Sequence, residues 1–248
     1  GIWAEYTSNH KLWEGLAAYA GENGLGFQLH LAQTKDEAES CEDRFGLSQT
    51  ELLSCHNVLT VPVTAAGCNC LSEMDRKILG KRGASAVVTP LADAKQGRPC
   101  APITECVKAG MNVALGTDGP ASNNAQNMVR EMYVASLLQK VTQLNSTACP
   151  AQMALDMATR GGSDALHEPL IGTLEPGMKA DFIALDLTTP NMQPVHNIVS
   201  NIVYAATGLE NKLTVVDGKE LYRDGKFLTC DYEALCAEMK AIHGWEKK

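Results

Sequence analysis

Two polar residues stand where the sequence leads a strand to its end. His30 lies in the run Phe27-Gln28-Leu29-His30-Leu31, and Asp118 follows Met111-Asn112-Val113-Ala114-Leu115-Gly116-Thr117. An imidazole and a carboxylate are the groups that ligate a divalent cation or carry protons near neutral pH. Each also has a plainer use. A histidine at a strand end is more often a hydrogen-bonded structural residue, and an aspartate before Gly119 suits a turn. A third candidate is Cys68-Asn69-Cys70, close behind another apolar run. Residues two apart on a strand share a face, so two thiolates could meet a soft metal there.

The elements that must position these residues alternate along the chain. Strands are predicted over 27–31, 61–66, 84–89 and 111–116. Helices are predicted over 35–44, from Ser72 to about Gly80, and over 101–109 with Gly110 at the C-cap. Two longer helices follow, over about 124–143 and 150–159. Strands alternating with helices imply βαβ units and a parallel sheet. In such folds the site forms at the C-terminal ends of the strands. His30, Gly67 and Asp118 all lie near such ends.

After about Leu170 the pattern changes to turns and short strands. Residues 181–186 read as a strand, and residues 212–222 as a hairpin on Asp217-Gly218. An amphipathic helix is predicted over 232–242. Two units are therefore expected, a larger one over 1–170 and a small β-rich one over 171–248.

The formal net charge of −8 argues against nucleic acid as a partner. No apolar run approaches the ~20 residues that span a bilayer. The first residues carry no basic segment ahead of an apolar core. The nine cysteines spell no pairing framework, which fits free thiols and a cytoplasmic location. His56 is expected in a surface loop, and the charges over 36–44 on a solvated helix face.

The stretch Ala109-Gly110-Met111-Asn112-Val113-Ala114-Leu115-Gly116-Thr117-Asp118-Gly119-Pro120-Ala121-Ser122-Asn123-Asn124 resembles the last barrel strand of the ATZ/TRZ amidohydrolases. It is most similar to the methylthioadenosine/S-adenosylhomocysteine deaminases. Glu131-Met132, Met157-Ala158-Thr159-Arg160-Gly161-Gly162 and Gly172-Thr173-Leu174-Glu175-Pro176-Gly177-Met178-Lys179-Ala180-Asp181 follow in the family's order. So do Ile202-Val203-Tyr204-Ala205 and Val216-Asp217-Gly218-Lys219. The resemblance implies the C-terminal half of a (β/α)8 barrel carrying a metal-dependent hydrolase site, plus a small β-rich unit.

In that family one divalent metal, zinc or iron, sits at the barrel mouth. A His-x-His pair, a fifth-strand His and an eighth-strand Asp hold it. A Glu three residues after the fifth-strand His moves protons, and a sixth-strand His contacts the metal-bound water. The metal makes hydroxide available near neutral pH, and an acid must still protonate the leaving ammonia. The resemblance places His30 and Asp118 in the metal-ligand roles. It places Gln33 where the family has its Glu, and Gly67 where it has its sixth-strand His. An amide cannot shuttle a proton, and glycine carries no group at all. The His-x-His pair does not occur in the sequence. Family matching turns Gly67 and Asn69 toward the mouth and the two cysteines toward the helices. Ser122-Asn123-Asn124 is expected to cap the helix that follows.

Two functions follow from the resemblance. One is an amidohydrolase-like protein, inactive or repurposed as this chain alone, which binds a small molecule or a partner. The other is the catalytic part of a deaminase completed by an N-terminal half. A homo-oligomer or a complementing half is expected, because the first and last strands of a half-barrel are open edges.

Overall fold

The computed structural model describes residues 1–242. The chain runs through α1 (His10–Glu22), β1 (Phe27–Leu31), α2 (Lys35–Phe45), α3 (Gln49–Cys55), β2 (Val63–Gly67), α4 (Glu73–Lys81) and β3 (Ser85–Val88). It continues through α5 (Pro90–Lys95), α6 (Ile103–Lys108), β4 (Asn112–Leu115), α7 (Pro120–Asn123), α8 (Met128–Thr142), α9 (Ala151–Ala158) and α10 (Arg160–Leu166). The last part holds β5 (Phe182–Leu185), α11 (Ile198–Tyr204), β6 (Asn211–Val216), β7 (Lys219–Arg223), β8 (Lys226–Phe227) and α12 (Tyr232–Ala241).

The first four strands form a parallel sheet in sequential order, and the last four an antiparallel sheet. The architecture is thus α/β, the half-barrel with an added antiparallel sheet and terminal helix that the resemblance implies. The predicted β6–β7 hairpin is present, and its turn residues Asp217 and Gly218 have φ of 50° and 75°. Positive φ at both central positions is what a two-residue hairpin turn requires.

Local chemistry explains several boundaries. Ser48 and Ser72 each close a capping box, with Glu51 and Asp75 respectively. Gly46, at φ 67°, ends α2. Six helices are not among those expected from the sequence: α1, α3, α5, α7, α10 and α11. Each is short or lies beside glycine or proline, so the local pattern was read as loop; Pro90 opens α5 rather than merely ending β3. The expected cap at Ser122-Asn123-Asn124 is corrected. Asn127 caps α8, its Oδ1 accepting from Val129 and Arg130 amides at 3.0 and 3.3 Å. Residues 120–123 instead form their own turn of helix.

Phe27, Leu29 and Leu31 are buried on one face of β1 and join the hydrophobic core. The other face carries two rows fixed by register. Gln28, Thr64, Ser85 and Asn112 lie side by side, and so do His30, Ala66, Val87 and Ala114. The first row holds α10: Thr64 donates to the Ala165 carbonyl at 2.6 Å, and Asn112 to the Gly161 carbonyl at 3.0 Å. Beside it a concavity of about 380 Å³ opens between Gln28, Thr64, Val87 and Ala114 and the α10 residues Gly162, Ala165 and Leu166.

The two sheet edges are not alike. β4 ends the sheet without a further strand partner among the described residues. The β1 edge is partly taken: the Ile2 amide donates to Gln28 O at 3.0 Å, and the His30 amide to Trp3 O at 2.8 Å. The expectation of two equally open edges therefore needs amending at β1.

Candidate functional site

His30 sits near the C-terminal end of β1, half-buried. Its Nδ1 lies 2.8 Å from the Trp3 carbonyl oxygen, and its ring stacks, tilted by 39°, on the Trp3 indole at 4.3 Å. A carbonyl can only accept, so Nδ1 carries a proton, and in the neutral ring Nε2 is then the acceptor. That tautomer is the one a metal-ligating histidine adopts when its other nitrogen is held by the backbone.

Asp118 follows β4 in an exposed loop, in the left-handed region at φ 57°. Its Oδ1 accepts from the Gly119 amide at 2.7 Å, and its carbonyl accepts from Gln126 Nε2 and Thr117 Oγ1, each at 3.2 Å. Beneath this loop Asn123 donates to the Thr117 carbonyl at 2.6 Å and to Glu131 Oε1 at 2.5 Å. Glu131 is fully buried, and its Oε2 accepts from the Leu91 amide at 3.0 Å. Burial raises the Glu131 pKa, with the bonds from Leu91 and Asn123 opposing it. The sequence reading took Glu131 only as part of a matching motif. Nothing short of the tertiary contacts shows that it joins α5, α8 and the Asp118 loop.

Gln33 and Gly67 are brought into contact. A Cβ built on Gly67 would stand 2.5 Å from Gln33 Cγ and 3.4 Å from its Cδ. The space left by the missing side chain at 67 is therefore filled by Gln33, a compensation the sequence alone did not reveal. The backbone around the pair is closely tied. The Cys68 amide donates to Leu31 O at 2.8 Å and the Cys70 amide to Ala32 O at 2.9 Å. Asn69 Nδ2 donates to Gln33 O at 3.2 Å, and the Gln33 amide donates to Glu37 Oε2 at 3.0 Å. Ala32, Gly67 and Cys68 all have positive φ, at 47°, 96° and 62°. For Ala32 and Cys68 this conformation is strained, and it persists where the surroundings fix it.

Cys68 is fully buried in the core and Cys70 half-buried, as expected for side chains turned to the helices. Burial pushes the Cys68 thiol well up. His56 lies in the turn after α3, partly exposed as expected. Its Nδ1 lies 2.7 Å from Glu14 Oε1, and its ring stacks on His10 at 4.9 Å.

His30 and Asp118 belong to the two outer strands of the sheet, with β2 and β3 between them. Three strand spacings are roughly 14 Å along the sheet, before its curvature brings them closer. Among the described residues no three His, Cys, Asp or Glu side chains could hold a metal together. A catalytic zinc usually takes three protein ligands. His30 and Asp118 alone fall short of that number.

The parallel half-barrel with polar groups at its C-terminal ends defines a hydrolase-type α/β scaffold. Residues 2–221 match the model of the Amidohydrolase family, and the chain belongs to that family. It is 41% identical over 243 residues to a 5-methylthioadenosine/S-adenosylhomocysteine deaminase of Desulfovibrio desulfuricans, covering 98% of this chain and 55% of the relative. The chain thus spans about half the length of the curated relatives it matches. Among solved structures it is similar to an adenosine deaminase from Xanthomonas campestris with bound zinc. The TM-score is 0.91 at 28% identity, over 95% of this chain and 54% of that one. It also shares the fold of the zinc complex of atrazine chlorohydrolase TrzN from Arthrobacter aurescens. There the TM-score is 0.89 at 24% identity, over 94% of this chain and 52% of that one. Among the described residues no helix is long and apolar enough to cross a membrane.

Proposed function

We propose that this chain is an amidohydrolase-like protein related to the metal-dependent deaminases that act on C–N bonds of aminopurine-type substrates, and that by itself it is inactive or repurposed. The observation that carries this is the contact between Gln33 and Gly67. These positions match the family's proton-moving Glu and its sixth-strand His, and neither now bears a titratable group. Loss of each such group costs on the order of 10²–10⁴ in rate. The incomplete donor set supports the same reading, with His30 and Asp118 as the remaining family-equivalent ligands.

A deaminase completed by an N-terminal half is the second reading. It is favoured by His30, whose Nε2 is left free by the Nδ1 bond to Trp3. A small-molecule ligand, a homo-oligomer or complementing chain, and a cytoplasmic location belong to the proposal as a whole. All nine cysteines are free, which suits a reducing compartment.

A chimera separates the readings. The N-terminal part of the Desulfovibrio relative is joined to this chain, and ammonia release from S-adenosylhomocysteine, methylthioadenosine and adenosine is followed with zinc present. We expect none from the chimera and measurable release only after Gln33→Glu and Gly67→His together. Turnover by the unmodified chimera supports the second reading and overturns the first.

A further inference from the structure

We propose that Gln33 is a plug, and that it covers a latent site at Gly67 for a small planar molecule bearing an N–H donor. The inference deepens the reading above and rests on it, since a working mouth would have no reason to fill itself. The argument starts from residue 67. Glycine gives it no side chain, yet the position is buried at the end of β2. The neighbours of a Cβ there are Gln33 Cγ, Gln33 Cδ and the Leu31 carbonyl oxygen, at 2.5, 3.4 and 3.3 Å. Two of these three belong to one side chain. Without it, the space would be bounded by Gly67 and an acceptor oxygen.

The main chain of Gln33 is pinned on both sides, by Glu37 at its amide and Asn69 at its carbonyl. Its side-chain amide is different. Gln33 is only 8% exposed, and its carboxamide has no hydrogen-bond partner among the described residues. Its N and O are not sealed from solvent, so leaving them unpaired carries no burial penalty. Such a group is retained here because its methylenes fill space, since a void loses contacts outright. The fixed main chain means that truncation at 33 opens the space rather than drawing the backbone into it. The Leu31 oxygen already accepts from Cys68, and a carbonyl has a second lone pair for an entering donor.

Imidazole, used at pH 8 where it is neutral, is the probe. Binding to the 248-residue chain is followed by ligand-observed NMR, with near-UV circular dichroism reporting the fold. We expect Gln33→Ala to bind imidazole with a Kd on the order of 1–10 mM. The wild type and Gln33→Met, which keeps the volume without the amide, should bind at least tenfold more weakly. Adding Gly67→Ala to Gln33→Ala should abolish binding again. Equal binding by wild type and Gln33→Ala overturns the plug, and so does a folded Gln33→Ala chain that binds nothing. Gln33→Ser carries the same expectation; if neither truncation folds, Gln33 is core structure and the inference fails. Ammonia release by the chimera bears on the proposed function and does not enter this outcome.

Discussion

One carbonyl oxygen, that of Trp3, accepts from both the backbone amide and the Nδ1 of His30, each at 2.8 Å. The imidazole is therefore oriented by the segment that runs along the β1 edge. Asp118 is exposed beyond β4, and among the described residues no group of three His, Cys, Asp or Glu side chains could hold a metal.

Metal content follows from that arrangement. After gel filtration the chain should hold fewer than one equivalent of zinc or iron by elemental analysis. A stoichiometric metal lost on His30→Ala would contradict this and restore the enzyme reading.

Glu210 gives a pH prediction. Burial alone would raise its pKa. Hydrogen bonds from the Asn191 side chain, the Thr207 amide and hydroxyl and its own backbone amide outweigh burial and bring it down to about 2. A carboxylate with a depressed folded-state pKa stabilises above its unfolded value, and the gain is lost as pH falls through the folded value. Glu210→Gln should destabilise the chain by about 1–3 kcal/mol at pH 7. In urea titrations the gap between variant and wild type should close between about pH 4.5 and pH 2. A gap that stays constant over that range refutes the assignment.

Glu131 makes the opposite case. Its pKa is raised, so the folded state prefers the neutral acid, and its contribution is most favourable at low pH and declines as pH rises toward the folded value. Glu131→Gln should keep near-native stability at pH 7. Glu131→Ala should lose about 2–4 kcal/mol by leaving the Leu91 amide unpaired and Asn123 Nδ2 with only its bond to the Thr117 carbonyl. Equal losses in the two variants would show that hydrogen bonding at this carboxylate is not what matters.

Close helix packing is tested at Gly80. A Cβ there would stand 1.9 Å from the Ala109 carbonyl oxygen, so α4 lies directly against the end of α6. Gly80→Ala should cost about 1–3 kcal/mol or more in chemical denaturation. A neutral outcome would mean the two helices part easily.

Assembly follows from the sheet. With β1 partly covered by Ile2 and Trp3, we propose that the β4 edge and the half-buried residues His30, Ala66 and Val87 face a partner. Light scattering at micromolar concentration should give more than a monomer, and Val87→Lys should shift it toward monomer. A compact monomer with cooperative unfolding would sink the proposal.

Sequence by itself determined the alternation of strand and helix, the parallel half-barrel, the Asp217-Gly218 hairpin and the family. These rest on local period, on turn residues that need positive φ, and on motifs held in a fixed order. It also placed His30, Gly67 and Asp118 near strand ends, because a parallel sheet sends the ends of all its strands to one side, while Gln33 was singled out only by the resemblance. The short helices α3, α5 and α10 were not legible, since a turn or two of helix is held by packing rather than propensity. The cap at Asn127 was missed for a related reason: several polar residues in a row can cap, and the path of the chain selects one. Only the tertiary structure decided that Gln33 fills the space above Gly67 and that Glu131 underlies the Asp118 loop. Those contacts join residues 34 and 40 positions apart in sequence, Gln33 to Gly67 and Leu91 to Glu131. No local pattern records them, because they exist only once β1 lies beside β2 and α8 lies against α5.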